Sequence, residues 1–135
     1  MALTFVNGGE KATLEYLVNK VTSQEDLVLH LFTNDITPSE TDTVGSYTEA
    51  SFTGYSSVTL TGASWGAVTE GDPSSISYSS VTFTSTADQT KQTVYGAYMT
   101  RVTTGDLIAV EKFDNPIDFE NNGDSVRLTP SISAS

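Results

Sequence analysis

The chain has 135 residues and no cysteine, which fits one domain and excludes disulfides, thiolate metal ligands and cysteine nucleophiles. Six Lys or Arg against seventeen Asp or Glu give a formal net charge of -11, so the surface repels phosphate backbones and anionic lipid. The basic residues are scattered singly. Nucleic acid is therefore not expected as a partner, and no apolar run reads as a signal peptide or membrane span.

In chain order, Leu3 and Phe5 alternate with Thr4, and Gly8-Gly9 follow as a flexible joint. Residues 1–9 are expected to form an N-terminal arm ahead of a single mainly β domain over residues 10–135. Leu14, Leu17, Val18 and Val21 recur at helical spacing, with Glu10, Lys11, Glu15 and Lys20 largely opposite. That pattern predicts one short amphipathic helix over 10–21.

LVLHLF, from Leu27 to Phe32, is apolar on both parities and bounded by polar residues. It is expected to be a central strand covered on both faces. Residues 34–50 carry several acids with Pro38 and Gly45 and little periodicity, which predicts a long exposed loop of the sort that binds a partner. From Phe52 to Val68, weak alternation through Tyr55, Val58, Leu60 and Trp65 suggests two short strands.

In SSISYSSVTFTST the parity of the apolar residues changes between Tyr78 and Val81, which suggests a β-bulge. Two hairpins are expected after it. One joins Val94–Arg101 to Leu107–Phe113 around Thr103-Thr104-Gly105-Asp106; the other joins Ile117 and Phe119 to Val126 and Leu128 through Asn122-Gly123. Short strands, polar turns and one early helix together indicate an antiparallel β-sandwich of jelly-roll-like character.

Chemistry is sparse. His30 is the sole histidine, and its apolar neighbours Leu29 and Leu31 fit a core or interface role better than a catalytic one. No G-x-S-x-G elbow singles out a nucleophile. Acids from Asp114 through Asp118 and Glu120 to Asp124 leave a Ca2+ site near Asp118–Asp124 open, although the helical calcium-loop spacing fails. Glu70 with Asp72, or Glu111 with Asp114, would be glycosidase pairs only through the abundance of acids. No enzyme activity, cofactor or metal is expected. Trp65, Tyr55, Tyr78, Tyr95 and Tyr98 could form a sugar platform, yet core and interface use the same rings. Sugar binding is thus expected to be absent or secondary.

Two segments, LVNKVTSQEDLVLHLFTNDITPSETDT and FDNPIDFENNGDSVRLTPSISAS, resemble small structural proteins of tailed bacteriophages, and the organisation is similar to capsid decoration or cement proteins. The resemblance implies a homo-oligomeric accessory protein made in the host cytoplasm and held on the virion, at the capsid surface, by the major capsid protein or another virion protein. It marks Leu3 and Phe5, with Asp35, Ile36, Glu40 and Asp42 in the acidic loop, as candidate contacts. A tail or baseplate component is the first alternative. The second is a carbohydrate-binding virion domain displaying Trp65, Tyr95 and Tyr98.

Overall fold

The computed structural model describes residues 3–18, 20 and 24–134. The described residues contain nine strands and one α-helix: β1 (Thr4–Phe5), α1 (Asn7–Leu17), β2 (Leu27–Phe32), β3 (Val58–Leu60), β4 (Ser74–Ser77), β5 (Val81–Thr84), β6 (Gln92–Arg101), β7 (Leu107–Phe119), β8 (Ser125–Leu128) and β9 (Ser131–Ala134). They form a five-stranded sheet in the order β1-β7-β6-β2-β3 and two pairs, β4-β9 and β5-β8. Every pairing is antiparallel.

β2 matches its predicted bounds and lies between β6 and β3. Because side chains alternate along a strand, Leu29 and Leu31 enter one core cluster and Phe32 another. The first cluster unites Leu29, Leu31, Ala97, Met99 and Ala109 of the main sheet with Val81, Phe83, Val126 and Leu128 of the β5-β8 pair. Phe52 and Phe119 stack within it, ring centroids 3.9 Å apart and nearly parallel. The second cluster gathers Val6, Phe32, Tyr47, Tyr98, Leu107 and Val110. The central strand is covered on both sides, as its composition requires.

The β6-β7 hairpin forms as expected, with Gly105 at positive φ in its turn. A register shift falls between Val94 and Gly96. It lets Val94 join Ala97 and Met99 in the first cluster while Tyr95 packs with Tyr98 against the second. The parity change between Tyr78 and Val81 has a different cause from the bulge expected there: β4 and β5 are separate strands in separate sheets. The tail likewise makes no second hairpin. The chain does turn at Gly123, which has positive φ, but β7 pairs with β6 and β8 pairs with β5. Of the two strands expected between Phe52 and Val68 only β3 forms, followed by a 3-10 turn at Gly62–Ser64 and an isolated bridge from Trp65 to Tyr78.

The N-terminal segment requires the largest correction. Leu3 is buried, Phe5 packs half-buried against the core, and β1 pairs with β7 at Val110 and Ala109. Gly8 and Gly9 are the first turn of α1, not a joint. A Cβ on Gly8 would sit 2.5 Å from the Leu107 carbonyl oxygen, and one on Gly9 would strike the Ile108 carbonyl and come within 2.6 Å of the Phe5 ring. The glycines are thus where the helix backbone approaches the sheet, and residues 3–9 belong to the domain. Gly-to-Ala within a helix normally stabilises by about 1 kcal/mol; here Gly9→Ala is expected to destabilise by about 1–3 kcal/mol, the cost of overpacking. A urea titration of both proteins reads the sign directly.

Candidate functional site

The helix contacts β7 through Gly8, Gly9 and Ala12. Small residues bring it close, and the large apolar side chains are left on other faces. Leu14, Leu17 and Val18 are 62%, 78% and 63% exposed. The stripe that helical periodicity assigns to a core points outward; Val21 lies outside the described residues.

Beside that helix runs a chain of depressions against the β4-β9 pair. A cleft of about 460 Å3 is lined by Tyr16, Gln24, Glu25, Asp26, Leu27 and Trp65, with Ile76 and Ile132. It shares Tyr16, Leu27 and Ile132 with a hollow of about 180 Å3 reaching Phe5, Ala12 and Arg101. The hollow shares Phe5 and Thr13 with a third depression, bounded by Leu14 and Ala134. Trp65 is half-buried and held edge-on by Tyr78, centroids 5.2 Å apart. Two hydrogen bonds fix the wall: Thr61 N donates to the Tyr78 hydroxyl (3.2 Å), and Gly62 N donates to Asp26 Oδ1 (3.1 Å).

A nearly buried ion pair sits at the inner end. Arg101 Nη2 donates to Glu25 Oε2 at 3.0 Å, with their side chains 12% and 5% exposed. Thr103 contributes its backbone N (3.3 Å) and Oγ1 (2.8 Å) to Glu25 Oε1, and Glu15 stands 3.7 Å from Arg101 Nη1. Burial pushes the Glu25 carboxyl up, but the hydrogen bonds from Arg101 and Thr103 outweigh it and hold the group down at about 2. Among the described residues, the buried Arg101 Nε has no hydrogen-bond partner, and the buried Tyr16 hydroxyl faces Glu25. Burial raises the Tyr16 hydroxyl, and the Glu25 bonds raise Arg101.

The residues singled out by sequence are dispersed. Asp35 is exposed and ion-paired with Lys112; Ile36 packs half-buried against the second core cluster. The Glu40 carbonyl accepts from Asn7 N (2.9 Å), and Asp42 Oδ2 accepts from Ser39 N (2.8 Å) and the Tyr47 hydroxyl (2.7 Å). Burial, then the Asp42 bond, drives the Tyr47 hydroxyl strongly upward. Asn34 bridges the loop by donating to the Ser46 carbonyl and accepting from Thr48 N. The 34–50 segment is therefore a pinned cover over one face of the sheet whose acids remain accessible. Tyr98, expected as a displayed aromatic, is 3% exposed, and Tyr95 is half-buried near it. Of the three, Trp65 borders the cleft described above.

His30 stacks on Tyr98 (4.6 Å, 11°) and links Glu49 Oε1 at 2.8 Å to Thr100 Oγ1 at 2.9 Å. Tyr55 donates to the same Glu49 oxygen (2.8 Å) and accepts from Leu31 N (3.1 Å). This hydroxyl–imidazole–carboxylate row has the order of a catalytic triad. Thr100 is 5% exposed within the sheet, however, and none of the depressions described above is lined by it. The row ties the loop to β2 and β6. At the 120–124 turn, Asp124 Oδ2 accepts from Glu120 N (2.9 Å) and Asn121 N (2.7 Å), and these bonds lower its carboxyl. Among the described residues no group of three His, Cys, Asp or Glu is placed to hold a metal ion.

Compared with protein-family models, curated proteins and solved structures, the chain matches none. The site is therefore read from its own chemistry. Periodicity had located Leu14, Leu17 and Val18 but assigned them inward; the missed signal was Gly8, Gly9 and Ala12, a row of small residues that lets a helix seat closely.

Proposed function

We propose that this chain is an accessory structural protein of a virion shell, a decoration or cement protein that binds coat subunits. The observation that carries the reading is the outward apolar stripe of α1. Leu14, Leu17 and Val18 lie together on a chain that is otherwise strongly acidic, as expected for a contact surface whose rim keeps the free protein soluble. The resemblance of the two chain segments to phage structural proteins supplies the partner class, a major capsid protein. The anchors shift from Leu3 and Phe5, which hold β1 and the core, to the helix; Asp35 and Glu40 remain as accessible rim charges. On this reading the domain is non-catalytic and an antiparallel sandwich, its two strand pairs forming the layer opposite the five-stranded sheet. Repetition over a lattice, with copies of the chain side by side, would multiply modest contacts through avidity.

Fractionation of intact virions is expected to recover the chain with heads at high copy number; recovery only with tails would overturn the capsid assignment in favour of a tail component. Leu17→Glu is expected to weaken binding to otherwise complete capsids about tenfold or more, the loss of one buried leucine anchor. Because Leu17 is 78% exposed, the thermal midpoint should stay within about 2 °C of the parent. Unchanged capsid affinity would remove the helix from the interface.

A further inference from the structure

We infer that the cleft walled by Trp65 binds a neutral sugar residue, a function separate from attachment to a shell. Two features converge there. The first is an aromatic face fixed in place: Trp65 is half-buried, braced edge-on by Tyr78, whose hydroxyl is itself engaged by Thr61 N. An indole held this way offers its π-surface to the C–H face of a pyranose without losing much side-chain entropy on binding.

The second is a set of groups that hydrogen-bond hydroxyls. Gln24 and Asp26 line the cleft on either side of Glu25, whose two oxygens are already taken by Arg101 and Thr103. Asp26 uses Oδ1 on Gly62 N and has a second oxygen to offer.

These features select among ligand classes. A purely apolar ligand would cover Trp65, Ile76 and Ile132 but leave Gln24 and the second Asp26 oxygen unmatched. An anionic ligand would meet Glu25 and Asp26 on a chain of formal charge -11, while Arg101 is already committed to Glu25. A polyhydroxylated ring with one apolar face matches both sides of the cleft, and a volume of about 460 Å3 admits one or two such rings. Gathering Trp65 and Tyr78 at a cleft, away from Tyr95 and Tyr98, gives the sugar reading a location that a count of aromatics could not.

The chain contains one tryptophan and six tyrosines, so fluorescence excited selectively at the indole reports on this cleft. The full-length protein is titrated with methyl glucosides, galactosides, mannosides and N-acetylglucosaminides, and with cellobiose, maltose, lactose and chitobiose. A saturable change in Trp65 emission with at least one of these probes is the expected result. Calorimetry with the responding sugar should then show Trp65→Ala and Asp26→Asn each weakening binding, the former about tenfold or more, with circular dichroism and thermal midpoint retained. Failure of every probe to change the emission would overturn the assignment. Binding that survives both substitutions would place the sugar elsewhere and overturn it equally. If Trp65→Ala alters the fold, Trp65→Phe keeps an aromatic wall, and sugar affinity under calorimetry decides: a reduced but measurable affinity supports the cleft, and an unchanged one rejects it.

Discussion

Phe119→Ala is expected to lower the free energy of unfolding by about 3–5 kcal/mol, the range for truncating a fully enclosed aromatic. Phe119 is completely buried at the end of β7 and lies face to face with Phe52 at 3.9 Å. The row continues through Tyr55, 5.3 Å from Phe52 and 5.8 Å from Phe83. It therefore joins the last residue of the main sheet to the β5-β8 pair, between which no strand ladder runs among the described residues. Burial raises the Tyr55 hydroxyl strongly, and its bond to Glu49 keeps the phenol protonated as a donor. The rings fill this junction, and only single backbone bonds flank them, from Gln89 N to the Glu120 carbonyl at 2.8 Å and from Thr86 N to the Thr53 carbonyl at 3.1 Å. Urea titrations of Phe119→Ala and Phe119→Leu measure the effect. The leucine variant, which refills most of the volume, should recover more than half of the loss. A cost below about 1 kcal/mol for the alanine variant would mean that the two aromatic rings are not a junction of the core.

The elements that sequence located well are those whose burial their own composition dictates. LVLHLF is apolar on both parities and could only be covered twice; the Thr103–Asp106 turn has Gly105 where positive φ is required. The errors occur where tertiary contact decided between equal local readings. Gly8-Gly9 serves a flexible joint or a close helix seat equally well, and only the proximity of the Leu107 and Ile108 carbonyls selects the seat. Likewise, Asn122-Gly123 between alternating segments reads as a hairpin, yet β8 finds β5, some forty residues earlier, and not β7. Alternation specifies which face of a strand is apolar. It does not name the neighbour. The ion pair at the cleft was invisible for the same reason: Glu25 and Arg101 are far apart in the chain and unremarkable singly, and they meet only because β2 lies along β6 with Leu27 opposite Arg101.

That ion pair makes a prediction about acid. Glu25 is held at about 2 in the folded protein, against roughly 4.3 for an unperturbed glutamate. A folded-state value below the unfolded one means that the unfolded chain takes up the proton first, so the stabilisation is present above about pH 4.3 and is lost as pH falls toward 2. The difference amounts to about 3 kcal/mol. Wild-type stability on its own does not isolate this effect, because acidification also relieves the repulsion of a chain at -11. The comparison with Glu25→Gln does isolate it, since glutamine approximates the protonated carboxyl. At pH 7 the variant should be less stable by about 3 kcal/mol, leaving the charged and nearly buried Arg101 with Glu15, 3.7 Å away, as its remaining acidic neighbour. The gap between the two proteins should close progressively below about pH 4.3 and vanish near pH 2. Urea titrations at half-unit intervals from pH 7 to pH 2 give that gap directly. A gap independent of pH would show that Glu25 contributes shape and not charge. One that widens on acidification would reverse the direction of its shift. Arg101→Met completes the case: it removes the guanidinium bond while Thr103 N and Oγ1 still donate to Glu25, so the Glu25 carboxyl should rise from its wild-type value. The stability difference from wild type should then also be largest at neutral pH, about 3–5 kcal/mol, and should shrink as both Glu25 carboxyls become protonated.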